Sequence, residues 1–179
     1  MAELTSLWRA AECLSAAQRS AFRMLILLPL RKQELLLSGW QNVDSQWLFV
    51  PGERTKNHEE SALFISDFAF SVLRAPANET GLLFTANNRT PLTLGTKISV
   101  KITEESGVSD WVYHDFRRTF STHMNERGHP FHIIEACLNH RDPTRRGVAG
   151  VYNRAEYRAA KQTVLQAWSD FVEAAVGRL

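Results

Sequence analysis

The sequence predicts a mainly α fold with a small antiparallel β-sheet, an α+β protein. Three observations in its 179 residues carry this reading. Apolar residues recur at helical spacing near both ends of the chain. Two short apolar runs near the middle are separated by turn-forming residues. The last third is punctuated by helix stop and start signals, of which Gly128 and Pro130 are the clearest pair.

Leu4, Leu7, Trp8, Ala11 and Leu14 fall on one face of a helix over 4–14. Residues 16–28 form a second helix, apolar nearly all round at its end and so central to the core, and Pro29 stops it. A third short helix runs from Arg31 to Gly39, with Gly39 as its stop signal. Gln46–Val50 and Ser61–Ile65 pair as antiparallel strands. Pro51-Gly52 and the polar run Thr55-Lys56-Asn57-His58 lie between them, with Lys56 near a tight turn. Asp67 caps a helix that reaches about Arg74. Residues 75–92 read as loop, with Leu82-Leu83-Phe84 buried, and 93–105 as helix. Helices follow from His114 to Arg127 and from Pro130 through Ile133, Ile134, Cys137 and Leu138. A polar loop spans 140–150, and a helix carries Tyr152 to Tyr157. The tail, 160–176, is amphipathic, with Leu165, Trp168, Phe171 and Val172 on one side.

Hydrophobic content of 44% and charged content of 22% are those of an ordinary globular domain. The longest apolar run, Met24 to Leu30, falls far short of the ~20 residues of a membrane span. Met1-Ala2-Glu3-Leu4 has no basic stretch leading into an apolar one, so no secretory signal is read. Cys13 and Cys137 are the only cysteines and are far apart, which fits reduced thiols in the cytoplasm. The net charge of +2 matters less than its distribution: residues 1–90 are neutral overall, whereas 139–158 hold five arginines against two acidic residues. Positive charge therefore gathers around Tyr152, where a polyanion can dock.

Six side chains form a candidate set: Arg31, Lys56, His114, Arg117, His140 and Tyr152. Five can place charge or hydrogen-bond donors around a phosphate, and the sixth carries a nucleophilic oxygen. Such a set suits breaking and rejoining a DNA strand through a protein–phosphate bond. Guanidinium forks match phosphate oxygens bidentately and stay charged, which fits Arg31 and Arg117. The His-x-x-Arg spacing places His114 and Arg117 one turn apart on one helix face. No metal is called for, because a two-metal site needs clustered carboxylates, whereas Glu34 and Asp115 stand singly among cations. Glu34 is expected to steady a neighbouring helix or arginine.

No single piece is specific. In a chain with 6 His and 16 Arg, a His-x-x-Arg spacing arises by chance about half a time. The ordered conjunction carries the signal. It comprises Arg31-Lys32-Gln33-Glu34 after an apolar helix, Glu53-Arg54-Thr55-Lys56-Asn57 in a hairpin, and His114-Asp115-Phe116-Arg117-Arg118-Thr119-Phe120. Leu138-Asn139-His140 and Gly150-Val151-Tyr152-Asn153-Arg154 complete it. In these motifs the chain resembles the catalytic domain of tyrosine recombinases, the phage-integrase family, and within it the bacterial prophage-type integrases. There are departures: Leu28-Pro29 stand where Thr-Gly is common, Tyr113 where proline is common, and Asn139 where glycine is usual.

The resemblance implies one catalytic domain over 1–179, with the N-terminal DNA-binding domain of family members absent from this sequence. It implies that Tyr152 attacks a phosphodiester and that His114 takes the phenol proton. His140 hydrogen-bonds the phosphate. Lys56, on a mobile turn, protonates the departing 5′ oxygen. The product is a 3′-phosphotyrosyl link that a second 5′ hydroxyl can reverse. No cofactor is implied. The implied partners are double-stranded DNA and, through the C-terminal segment, a neighbouring protomer, at the bacterial nucleoid. Arg118, Arg141, Arg145, Arg146 and Arg154 are candidates for DNA-backbone contact or for plain solvation. Two other functions share much of this pattern: a type IB topoisomerase-like relaxation of DNA, and a non-catalytic DNA-binding module that keeps the fold.

Overall fold

The computed structural model describes residues 2–73, 81–85, 90–140 and 157–177. Helices α1 (Ala2–Ala10), α2 (Ala16–Leu27) and α3 (Lys32–Leu36) precede a three-stranded antiparallel sheet. Its strands β1 (Val43–Asp44), β2 (Trp47–Val50) and β3 (Ser61–Phe64) lie in sequence order. Helices α4 (Asp67–Leu73), α5 (Thr96–Ser106), α6 (Tyr113–Glu126), α7 (Phe131–Cys137) and α8 (Arg158–Val176) follow. The expected class, mainly α with a small antiparallel sheet, is the one observed. No helix of the described residues is long and apolar enough to cross a membrane.

Local chemistry explains the element ends. Ser15 opens α2 with a capping box: its Oγ accepts from the Gln18 backbone N–H (3.4 Å), and Gln18 Oε1 accepts from that of Ser15 (3.3 Å). At the start of α6 the Val112 N–H donates to Asp115 Oδ2 at 2.8 Å. Both α6 and α7 end in a Schellman turn. In the first, the His129 N–H reaches the Met124 carbonyl and the left-handed residue is Gly128 (φ 78). In the second, the His140 N–H reaches the Glu135 carbonyl and the left-handed residue is Asn139 (φ 49).

Several boundaries differ from expectation. The first helix closes with a 3₁₀ turn over Ala11–Cys13 rather than a last α turn. Strand β1 was not expected; it is only two residues long and pairs through a tight turn at left-handed Ser45 (φ 54). Helix α3 ends at Leu36, so Gly39 is not its cap: its backbone is extended (φ −122). A side chain there would meet the Gly81 carbonyl at 2.6 Å, because Gly39 bridges to Leu82. The glycine serves a close backbone approach rather than a left-handed stop. Helix α5 begins at Thr96, behind Gly95, rather than at Thr93. Tyr157 is left-handed (φ 50), so the helix expected through it does not include it, and α8 starts at Arg158, two residues earlier than read. The rest of that expected helix, 152–156, and nearly all of the expected loop 140–150 lie outside the described residues.

Helix α2 is the axis of the core, with Phe22, Met24, Leu25, Ile26 and Leu27 all buried. Trp168 of α8 packs edge-on to Phe120 of α6, with ring centroids 5.7 Å apart. Its indole Nε1–H donates to the Ile26 carbonyl at 2.9 Å. That carbonyl belongs to the last turn of α2, where no intrahelical donor remains. The apolar face of α8, with Val164, Leu165, Trp168 and Val172, is thus buried against its own chain.

Candidate active site

Arg117 organises the site. It lies on the core-facing side of α6 between Phe116 and Phe120 and is only 2% exposed. A buried guanidinium must be hydrogen-bonded to be tolerated. Nη1 donates to the Pro29 carbonyl just past α2, and Nη2 donates to the Leu138 carbonyl at the end of α7 (2.6 Å). Nη2 also lies 3.1 Å from His140 Nε2. One side chain thereby ties together two chain breaks whose carbonyls lack helical partners. Among the described residues the Nε–H has no hydrogen-bond partner, and orphans of this kind in a native fold call for an explanation such as a functional site. Burial draws Arg117 down to about 10; the Arg31 charge acts the same way, and Glu34 and Glu135 oppose it. It remains charged at neutral pH.

His140 follows the left-handed Asn139, so the Schellman turn of α7 aims it back at Arg117. An arginine can only donate, so His140 Nε2 accepts and the ring proton sits on Nδ1. Nδ1–H then donates to Glu135 Oε2 at 3.0 Å. His114 stands one turn before Arg117 on α6 and is exposed. Partial desolvation holds its pKa below the ordinary histidine value, and the charges of Arg117, Arg118 and Arg31 add to the effect. The imidazole is therefore neutral at pH 7 and able to accept a proton.

Arg31 is the residue before α3, directly after the Pro29-Leu30 link that Arg117 holds. Glu34, buried at 3% exposure, braces it twice. Oε2 accepts the Arg31 backbone N–H (2.9 Å) and Oε1 accepts Nη1–H (2.7 Å). Glu34 thus steadies the arginine and caps the helix, as expected. Tyr113 packs with Phe22, Trp111 and Phe116, and Lys32 Nζ sits 4.6 Å from its ring centroid. The contact links α3 to α6 next to Arg31 and His114.

His114, Arg117, Arg118, Ser121, Thr122, Leu138 and His140 line an open cleft of about 210 Å³, room for a group several waters in size. Three of the expected six therefore meet in one cleft, and Arg31 is close enough for its charge to act on two of them. Lys56 is exposed on a turn and does not line the cleft. That turn, expected to be mobile, is tied at both ends. Arg54 Nη1 donates to the Leu37 carbonyl (2.6 Å), and Asn57 bonds to Asn139, the neighbour of His140. Tyr152, Arg141, Arg145, Arg146 and Arg154 lie outside the described residues. Arg118 is exposed and paired with Asp115 at 2.8 Å.

A second cleft, of about 260 Å³, is lined by Glu12, Arg19, Arg23 and Ser71 among others. Its two arginines are already engaged by one carboxylate, because Glu12 pairs with Arg19 at 2.5 Å and Arg23 at 2.7 Å. Sequence reasoning missed Glu135 and gave Asn57, though part of the hairpin motif, no role of its own. An acidic residue five positions before a functional histidine, across a helix end, was the available signal for the first.

The fold and site together define a helical domain with a small sheet that gathers cationic and imidazole groups at the junction of α2, α6 and α7. The chain belongs to the phage integrase family, whose model matches residues 1–173. It is similar to the prophage integrase IntZ of Escherichia coli K12, with 28% identity over 97% of this chain and 44% of that protein. It is likewise similar to prophage integrase IntA of the same strain, with 27% identity over 90% of this chain and 40% of that protein. The integrase of Shigella phage Sf6 is 26% identical over 86% of this chain and 41% of its own. The chain thus spans less than half the length of the curated relatives it matches. Its fold is similar to that of the XerH site-specific recombinase, crystallised with a palindromic difH substrate as a post-cleavage complex. That match has a TM-score of 0.55 and 18% identity over 96% of this chain and 52% of the other.

Proposed function

We propose that this chain is the catalytic domain of a site-specific DNA recombinase of the integrase type, acting on double-stranded DNA in the bacterial cytoplasm. The observation that supports it best is the convergence of His114, Arg117 and His140, from two helix ends, on one cleft beside Arg31. The family and the named relatives point the same way.

In this reading Arg31 and Arg117 hold the non-bridging oxygens of the scissile phosphate. Preorganised donors of this kind are worth about 3–4 kcal/mol each in the transition state. Tyr152 Oη attacks phosphorus, and its proton passes to neutral His114. The bond from phosphorus to the 5′ oxygen breaks, and Lys56 protonates that oxygen. His140, oriented by Glu135, hydrogen-bonds the phosphate once the DNA displaces Arg117 from Nε2, which then carries the proton it donates. The 3′-phosphotyrosyl link conserves the bond energy, so another 5′ hydroxyl can reverse the step. We also propose that protomers associate on DNA by exchanging the C-terminal segment. Because the apolar face of α8 is buried in its own chain, the whole helix would have to be exchanged.

The test is covalent capture. The chain is incubated with a library of nicked duplexes of randomised core sequence, and detergent-resistant adducts are collected and sequenced. Enrichment of one site, lost in Tyr152→Phe, is the expected result. Adducts that persist in that variant overturn the assignment of the nucleophile, and adducts with no site preference favour a relaxing enzyme instead.

A further inference from the structure

The turn that carries Lys56 has no side chain of its own in the cleft, yet it is fastened to Asn139, the residue before the cleft's histidine. Asn57 is buried, although Lys56 before it and His58 after it are exposed. Its Nδ2 donates to the Asn139 backbone carbonyl (3.2 Å) and to Asn139 Oδ1 (3.0 Å). Asn139 Nδ2 returns a bond to Asn57 Oδ1 at 3.2 Å and reaches the Glu59 carbonyl at 3.3 Å. The two residues are 82 positions apart in sequence. Each amide offers both a donor and an acceptor, so the pair closes a reciprocal ring that no other side chain of this length can make.

The rest of the turn is built to present Asn57. Thr55 Oγ1 donates to the carbonyls of Gly52 and Glu59, folding the turn on itself. A side chain at Gly52 would strike the His58 carbonyl at 2.6 Å, so only glycine lets the turn close. On the other side, Asn139 is the left-handed residue of the α7 Schellman turn, a conformation that glycine or asparagine adopts at least cost. Glycine would make that turn equally well but would keep only the backbone half of the grip on Asn57.

Resting on the reading of Lys56 as general acid, we propose that the Asn57–Asn139 clasp is a positioning device. It sets the Lys56 turn in register with His140, so that acid and phosphate-binding groups approach the DNA as one unit. Asn57 touches neither phosphate nor leaving group; it acts through its neighbour.

The experiment compares two versions of the captured duplex, one with the natural 5′ bridging oxygen and one with sulfur in its place. A thiolate leaves without a proton, because a thiol is far more acidic than an alcohol. Sulfur therefore cures a defect in the acid and nothing else. Asn57→Ala should slow single-turnover cleavage of the oxygen duplex about 10–100-fold, at or below the ~100-fold lower end of what a general acid contributes, because the lysine is misplaced and not removed. With sulfur it should come within about threefold of the parent chain, as should Lys56→Ala. Asn139→Gly keeps the turn and the backbone carbonyl that Asn57 grips, and its defect should be smaller but equally cured. Equal slowing of Asn57→Ala on both duplexes, with Lys56→Ala cured, would mean a merely structural role and overturn the proposal. So would parental rates for both asparagine variants, or a Lys56→Ala defect that sulfur leaves untouched. If the parent chain cleaves neither duplex, the strand-cleaving reading itself fails and the clasp proposal falls with it.

Discussion

Arg117 Nη2 sits 3.1 Å from His140 Nε2 while the same nitrogen donates to the Leu138 carbonyl at 2.6 Å. The relationship is directional. Arg117 can only donate, so His140 Nε2 is held as an acceptor while its Nδ1–H donates to Glu135 Oε2. The candidate site is therefore an ordered hydrogen-bond chain, Glu135 to His140 to Arg117 to Pro29, and not a loose patch of charge.

Arg117→Lys should fail at both folding and chemistry. A single ammonium cannot reach the Pro29 and Leu138 carbonyls and His140 together. Leaving buried carbonyls unmatched costs about 1–3 kcal/mol each, so a loss of ~2–4 kcal/mol is expected in urea titration. Covalent capture should drop by roughly 100-fold or more at equal folded concentration. A parental urea midpoint would show that the buried contacts carry no weight.

The pH dependence follows from His114. Its pKa lies below the ordinary histidine value, first through desolvation and then through the surrounding arginines. Only the neutral ring can accept the tyrosine proton, so cleavage should be level near neutrality and fall as pH drops through that lowered value. The falling limb lies below ~6.5, the unperturbed value. Arg118→Gln removes one of the charges responsible and should shift the limb upward. A limb that stays in place in Arg118→Gln, measured by rapid quench from pH 5 to 8, would take Arg118 out of the field acting on His114.

Glu34→Gln tests the brace on Arg31. The amide keeps the shape and one acceptor but not the charge facing Nη1 at 2.7 Å. Arg31 is partly exposed and can rehydrate, so about 1–2 kcal/mol of stability should be lost, less than for a fully buried pair. Cleavage should fall roughly tenfold, because a wandering guanidinium is no longer preorganised. Unchanged cleavage with reduced stability would confine Glu34 to capping α3.

Much of this was legible in the sequence, and the misses have physical causes. Helices α2, α6 and α7 were readable from apolar spacing and from Pro29, Gly128 and Pro130, which act within a few residues. Strand β1 was not, because Val43 and Asp44 are too few to show alternation and exist only by pairing with Leu48 and Trp47. Gly39 was misread because a glycine required by Gly81, 42 positions away, looks the same as one that stops a helix. Within the site, residue types and order identified His114, Arg117 and His140. The roles of Glu135 and Asn57 escaped notice because their value lies in one hydrogen bond across the fold. Asn139 was visible only as a departure from glycine, and its positive φ supplies the reason.

Trp168 connects stability to the proposed exchange of α8. It is fully buried, edge-on to Phe120, and its Nε1–H satisfies the Ile26 carbonyl at 2.9 Å. Trp168→Phe removes that donor and should cost about 1–3 kcal/mol. Trp168→Ala also opens a cavity and should cost about 3–5 kcal/mol. For a chain of this size each kcal/mol moves the thermal midpoint by ~2–4 °C, so the alanine variant should melt at least ~6 °C lower. Deleting 157–177 should abolish cooperative unfolding, since the groove it fills, formed chiefly by α7 and β3, then lies open. If the groove can accept a neighbour's helix, a synthetic 157–177 peptide added to the truncated chain should restore the transition at saturating concentration. The same peptide carrying Trp168→Ala should restore it far less well, because the indole supplies both the volume and the donor the groove lacks. Failure of the unmodified peptide to rescue would leave α8 as a purely intramolecular strut and remove the basis for exchange between protomers.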